Sequence, residues 1–214
     1  RYAGGYPVKI SKPVKDIVDA IPFSQFESIA AWKDTDNIYW SIGNVTVAEA
    51  KESVTYKNAV LDSLAMNLND FAVIGAVPYA LQDHIVTPDS GEESVMGIMY
   101  ALAAECKKRK IAITGGETSH HNNADGIDIS ITVSGFINAV RKNEFRTGDV
   151  LIGIKSSGIH SNGFTRVRAL FGSGEWRDEF VEPTTIYYEQ VMKVLEKHEV
   201  HGMIHVTGGA FTRL

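Results

Sequence analysis

The chain has 214 residues, 44% of them hydrophobic and 22% charged, which is ordinary globular composition and enough for one large or two small domains. Its net charge of -5 and pI near 5.8 exclude nucleic acid as the expected partner, so a bound nucleotide would need a local pocket or a metal. One cysteine, no apolar run of the roughly 18 to 20 residues that a membrane span requires, and no apolar signal core in Arg1-Tyr2-Ala3-Gly4-Gly5 together suit a cytoplasmic protein without a membrane partner.

Ile38-Tyr39-Trp40-Ser41-Ile42 has strand composition, and Ala48 to Phe71 then carries Val54, Ala59, Leu61, Leu64, Ala65 and Leu68 at helical spacing. Gly75-Ala76-Val77-Pro78 breaks this helix, and Tyr79 to Val86 reads as the next strand. Glu92 and Glu93 favour a helix start. Val95, Ile98, Met99, Leu102, Ala103 and Cys106 continue one face of that helix, and Lys107-Lys108-Arg109-Lys110 complements the dipole at its end. Ile111-Ala112-Ile113 leads into Thr114-Gly115-Gly116-Glu117, and Ile127 to Ile137 alternates as a strand with Ile127, Ile129, Ile131 and Val133 on one face. The turn Thr147-Gly148-Asp149 sets the expected boundary between domains 1–147 and 148–214. After it come a strand Val150 to Ile154, a polar loop Ser156 to Gly163, a helix through Val167, Leu170 and Phe171, a helix from Thr185 to Lys197, and a strand Met203 to Val206 ending in Thr207-Gly208-Gly209.

Four constellations could carry chemistry. Asn67-Leu68-Asn69-Asp70, at the end of a helix, offers hard oxygen ligands to magnesium or else simply terminates the helix through local backbone bonds. Asp83-His84 and Gly115-Gly116-Glu117-Thr118 each follow a strand-like run; glycines there let backbone amides approach an anion, and acids can hold its metal, although either stretch alone reads equally as a turn. Ser156-Ser157-Gly158-Ile159-His160-Ser161-Asn162-Gly163 supplies hydroxyl and amide donors suited to phosphate, with His160 available as acid, base or cation, or is a solvated connector. Finally, Thr207-Gly208-Gly209 follows His198, His201 and His205; a zinc site on one helix face would suit that spacing, but Gly202 and the apolar run after it favour loop and strand. No glycine precedes a lysine, so the Walker A loop is absent and ATP would require another fold.

The text Asp62-Ser63-Leu64-Ala65-Met66-Asn67-Leu68-Asn69-Asp70, Gly75-Ala76-Val77-Pro78, Thr114-Gly115-Gly116-Glu117-Thr118, Gly148-Asp149-Val150-Leu151-Ile152-Gly153, Ser156 to Phe164, Pro183-Thr184-Thr185-Ile186-Tyr187 and His205-Val206-Thr207-Gly208-Gly209 resembles the aminoimidazole ribonucleotide synthetase (phosphoribosylformylglycinamidine cyclo-ligase) family, in order and with similar gaps. The resemblance implies an α/β chain of α+β type in two domains, with mixed sheets flanked by helices and a truncated second domain. It also implies a homodimer and ATP-driven ring closure of a small-molecule nucleotide substrate, formylglycinamidine ribonucleotide, with Mg2+. By position, Asp70 and Glu117 would bind the metal. Asn67, Asp83, Gly115, Gly116, Glu117 and Thr118 would surround ATP; Ser157, Gly158, Ser161, Asn162, Thr207, Gly208 and Gly209 would meet substrate; His160 and Asp70 would be catalytic. Phosphoryl transfer depends mainly on positioning and charge neutralisation, which suits such a set.

The resemblance departs in two places. Where the family carries Thr-Asp-Gly-x-Gly-Thr-Lys before the long helix, Ser41-Ile42-Gly43-Asn44-Val45-Thr46-Val47 has neither the acid nor the lysine. Family members also continue beyond the Thr-Gly-Gly loop with further second-domain elements.

Overall fold

The computed structural model describes residues 7–9, 37–47, 53–88, 92–122, 126–139, 141–171 and 177–207. Five strands form one mixed sheet: β1 (Pro7–Lys9), β2 (Asn37–Val47), β3 (Val77–Thr87), β4 (Ala112–His120) and β5 (Ile127–Phe136), in the order β1-β2-β5-β3-β4. Pairing is antiparallel except between β3 and β4, and the helix between those two supplies the crossover that a parallel pair requires.

Two helices cover one face. In α1 (Ser53–Ile74) the residues Val60, Leu64, Leu68 and Phe71 recur every three or four positions, and all are fully buried against the sheet. In α2 (Glu92–Arg109) Ile98, Leu102 and Cys106 do the same at intervals of four. They meet Leu81 and Ile85 of β3 and Ile129, Ile131 and Val133 of β5, the alternating residues that the strand pattern predicts to face inward. Truncating Phe71 to alanine in this core costs about 3–5 kcal/mol.

Both helices end in the same way. Gly75 adopts φ 68°, donates to the Ala72 carbonyl at 3.1 Å, and lets the Ala76 amide reach the Phe71 carbonyl at 2.9 Å. Lys110, at φ 58°, does the same for α2, with Ile111 N–H reaching the Cys106 carbonyl at 2.9 Å. Each is a six-to-one closure that satisfies the orphan carbonyls of the last turn. Glycine meets the left-handed requirement at no steric cost, while lysine does not.

The second half is less regular. It contains α3 (Phe164–Phe171), a 3-10 turn (Asp178–Phe180) and α4 (Tyr188–Lys197). Two strands expected there are not formed: Val150 to Ile154 and Met203 to Val206 pair with no described strand. Val150, Leu151 and Ile152 are 84, 74 and 86% exposed, because a strand-like composition yields a strand only where a neighbour supplies the ladder. Met203 is instead held by the side chain of Asn143, whose Oδ1 accepts its N–H at 3.1 Å and whose Nδ2 donates to its carbonyl at 2.9 Å. The final helix begins at Tyr188 rather than Thr185, since the backbone of residues 181–187 is taken up by side chains of α1.

Candidate active site

Thr114-Gly115-Gly116-Glu117-Thr118 lies inside β4, not in a loop after a strand as expected, and Asp83-His84 lies inside β3. The parallel register sets Asp83 beside Gly116 and His84 beside Glu117, with an irregularity at Leu81/Gln82 that shifts the pairing by one. Leu81, Asp83 and Ile85 alternate inward, whereas Gln82 and His84 are exposed on the opposite face.

Asp83 is therefore a carboxylate on the core side of a sheet, only 8% exposed. Its Oδ2 has no hydrogen-bond partner. Burial pushes its carboxyl above the ordinary carboxylate range, opposed by a hydrogen bond to its own backbone and by nearby His84. The carboxylate lies flat against Gly116, where a Cβ would sit 2.6 Å from Oδ2 and 2.8 Å from Oδ1. Glycine is required at 116 because the acid occupies the space of a side chain. Asp83, Met99, Ile113, Gly115, Gly116, Glu117 and Thr118 line a shallow cleft of about 310 Å³ beside this acid. Nearby Cys106 is no nucleophile, since burial pushes its thiol up to about 12.

A second cluster joins α1 to the second half of the chain. Asn67, Asn69 and Asp70 do not end the helix, which runs on to Ile74. Asn67 donates to the Ser63 carbonyl at 2.8 Å, and its buried Oδ1 has no partner. Asn58, Asp62 and Asn69 share one stripe of α1 and grip residues 181–187 by their backbone. Asn58 Nδ2 donates to the Val181 carbonyl (2.8 Å), Asp62 Oδ1 accepts from Thr184 N–H (2.7 Å), Asn69 Nδ2 donates to the Thr185 carbonyl (3.0 Å), and Asn69 Oδ1 accepts from Tyr187 N–H (2.8 Å). The Tyr188 hydroxyl donates to the Ala76 carbonyl at 3.1 Å, and Arg109 Nε lies 2.9 Å from Glu189.

This strap carries the Ser/His loop. His160 Nε2 accepts the Ser157 N–H at 3.0 Å and lies 3.4 Å from Thr185 N and 2.8 Å from Ser157 Oγ. Thr185 Oγ1 donates to Ser157 Oγ, and Ser157 Oγ donates to the Pro183 carbonyl. A nitrogen that accepts a backbone N–H carries no proton, so the ring is neutral with its hydrogen on Nδ1. Desolvation also pushes His160 below the usual histidine range; Asp62 opposes this and His205 adds to it. His160 sits at φ 59°, a left-handed position that histidine tolerates better than most residues. Ser161 Oγ lies 2.8 Å from Thr184 Oγ1, whose hydroxyl donates to Asp62.

Asp70 Oδ1 meets His205 Nδ1 at 3.0 Å. The structure does not bring Asp70 and Glu117 together: Asp70 belongs to the helix layer, whereas the register places Glu117 beside exposed His84. Among the described residues no three His, Cys, Asp or Glu side chains gather as a metal cage. His198 ends α4, and His201 binds Asp149 at 2.7 Å, so the three C-terminal histidines do not converge. Gly158 and Asn162 lie in the Ser/His loop, Thr207 is the last described residue, and Gly208 and Gly209 fall outside the described residues. Sequence reasoning gave no role to Asp62 or Thr184 and weighed His205 only as a zinc ligand; the available signal was a polar stripe, Asn58-Asp62-Asn69, on an otherwise apolar helix.

The chain matches the models of the AIR synthase related protein N-terminal domain over residues 41–137 and C-terminal domain over 146–213. It is 33% identical to the phosphoribosylformylglycinamidine cyclo-ligase of Thermococcus kodakarensis, over 96% of this chain and 64% of that protein. The enzyme of the same name from Thermococcus gammatolerans is 35% identical over 90% of this chain and 63% of its own length. The chain thus spans somewhat under two thirds of these relatives. Among solved structures, Escherichia coli HypE, a hydrogenase maturation protein, shares the fold at a TM-score of 0.58 and 18% identity, covering 88% of this chain and 61% of that one. A HypE structure in complex with ATP has a TM-score of 0.53 at 15% identity, covering 92% and 60%. No helix among the described residues is long and apolar enough to cross a membrane. On two family domains and these identities, the chain belongs to the AIR synthase related family.

Proposed function

We propose that this protein takes part in ATP-dependent closure of formylglycinamidine ribonucleotide to aminoimidazole ribonucleotide in purine synthesis, as a cytoplasmic homodimer with its domains dividing at residue 147. The observation that carries the reading is the buried carboxylate of Asp83, its Oδ2 without a hydrogen-bond partner, against Gly116 in an open cleft, in a chain related to cyclo-ligases. Burying an uncompensated carboxylate oxygen destabilises a fold, and a cation would relieve that cost. The donor set of hard carboxylate oxygens fits magnesium, which needs only one or two such ligands when phosphates and waters complete its shell.

When bound, magnesium and ATP would supply charge neutralisation and the phosphoryl group that activates the formyl oxygen. Asp83 would hold the metal, with Gly115, Gly116 and Thr118 leaving backbone room for phosphates, whereas Glu117 pairs with His84 on the other face of the sheet. Asp70 and Asn67 would serve the end of the nucleotide nearer the strap. The strap holds the loop of Ser157, Gly158, Ser161 and Asn162, which would meet the second substrate. Neutral His160, anchored by Ser157 N–H, would act through its Nδ1 side as a positioned hydrogen-bond donor.

The test is phosphate release from ATP, with and without formylglycinamidine ribonucleotide. Release is expected only when both are present; release that ignores this substrate would sink the assignment.

A further inference from the structure

We infer that Ser161 is a hydrogen-bond acceptor for substrate, its polarity set by Asp62 through the Thr184 hydroxyl, so that it selects an O–H or N–H group of the ligand rather than a phosphate oxygen. Asp62 Oδ1 accepts both the N–H of Thr184, at 2.7 Å, and its hydroxyl hydrogen. Thr184 has only one hydroxyl hydrogen, and it is spent on the carboxylate. The 2.8 Å contact between Thr184 Oγ1 and Ser161 Oγ must then run the other way, with Ser161 donating. Ser161 has in turn used its one hydrogen and can offer only lone pairs outward.

The relay is built rather than incidental. Thr184 is 5% exposed, so water cannot easily substitute in it, whereas Ser161 is half-buried and can be reached by a ligand. Asp62 belongs to the same stripe of α1 as Asn58 and Asn69, which fix residues 181–187 by their backbone, so the Thr184 hydroxyl has no freedom to reorient. A run of serines and amides reads as a cradle for phosphate; the proton order assigns one of its hydroxyls to the opposite task. Asp62 and Thr184 are positioning residues, and Ser161 is the contact.

For the ligand, this inference rests on the reading of the site as one for a phosphoribosyl substrate, whose ribose hydroxyls and amidine nitrogens are donors. Two experiments separate the parts. Neutron diffraction from a deuterated crystal should find the Thr184 deuteron on the line to Asp62 and the Ser161 deuteron on the line to Thr184; a Ser161 deuteron pointing to solvent overturns the polarity whatever the ligand. Calorimetry with ribose 5-phosphate, and with inorganic sulfate as a donor-free anion, tests the contact. Ser161→Ala should weaken ribose 5-phosphate roughly 3- to 10-fold and leave sulfate unchanged. Thr184→Val, which frees the Ser161 proton, should shift preference toward sulfate, and Thr184→Ser should keep the original preference. Equal weakening of both probes by Ser161→Ala overturns the assignment. Failure of the wild-type chain to bind ribose 5-phosphate at all refutes the phosphoribosyl reading, while the deuteron positions still decide the polarity.

Discussion

Replacing Gly116 with alanine tests whether Asp83 holds its place by filling the space of a missing side chain. The new Cβ would stand 2.6 Å from Oδ2 and 2.8 Å from both Oδ1 and Cγ, so three atoms of one rigid carboxylate must move together. The carboxylate has little room to yield, because Leu81 and Ile85 on either side along β3 are fully buried in the core. Overpacking of this kind costs about 1–3 kcal/mol. Loss of the glycine's freedom in the unfolded chain returns about 0.4–1 kcal/mol, so the expected net loss is about 1–2 kcal/mol. Urea unfolding would measure it. Gly115→Ala is the internal control, since nothing lies within 4 Å of its added Cβ, and it should show only the unfolded-state gain of about 0.4–1 kcal/mol. In the Asp83→Ala background the Gly116→Ala cost should largely vanish, because the two residues share the same space. Equal stabilities for the two glycine variants, or a cost that persists without Asp83, would refute the steric reasoning.

Asp83→Asn should alter the pH dependence of folding in a defined direction. The native state raises this carboxyl above 3.8 and so binds its proton more tightly than the unfolded chain does; its contribution to stability therefore falls as pH rises from 3.8 through the raised native value. The amide variant should lack that loss in urea titrations at stepped pH, and should lose magnesium-dependent nucleotide binding by calorimetry. Lys110→Gly should stabilise the protein by about 0.5–1 kcal/mol by removing a left-handed lysine at the end of α2, seen as a higher urea midpoint with an unchanged slope. Asn69→Ala leaves the Thr185 carbonyl and the Tyr187 amide without their partner, and should cost about 1–3 kcal/mol while increasing hydrogen exchange at Tyr187.

The N-terminal elements were legible because their patterns report burial directly. Leu64, Leu68, Ile98, Leu102, Ile129 and Ile131 all occupy the faces that periodicity predicts. Their boundaries moved where local readings met tertiary ones: Thr114 to Thr118 carries loop composition but pairs along β3, since the ladder outweighs the low strand propensity of two glycines. The later strands were misread for the converse reason. Val150 to Ile154 has the composition of a buried strand, but no described strand is there to accept its hydrogen bonds, and its side chains face water. In the site, Asp83, Gly116 and the Ser/His loop were named from residue type alone, while Asn69 was read as a metal ligand or a helix terminator and proves to be a clamp on the strap.

The sequence by itself determined the helix faces, the inward side of β5, the break after the first helix at Gly75-Ala76-Val77-Pro78, and membership of a family whose motifs occur in order. Tertiary structure alone decided which polar groups met. It set Asp83 against Gly116, Asp70 against His205, and Asp62 against Thr184, and so fixed which way the proton of Ser161 points. Periodicity is a local property that a chain carries in any state. The direction of a hydrogen bond between residues 122 positions apart exists only once packing has closed the distance and excluded the water that would otherwise take either role.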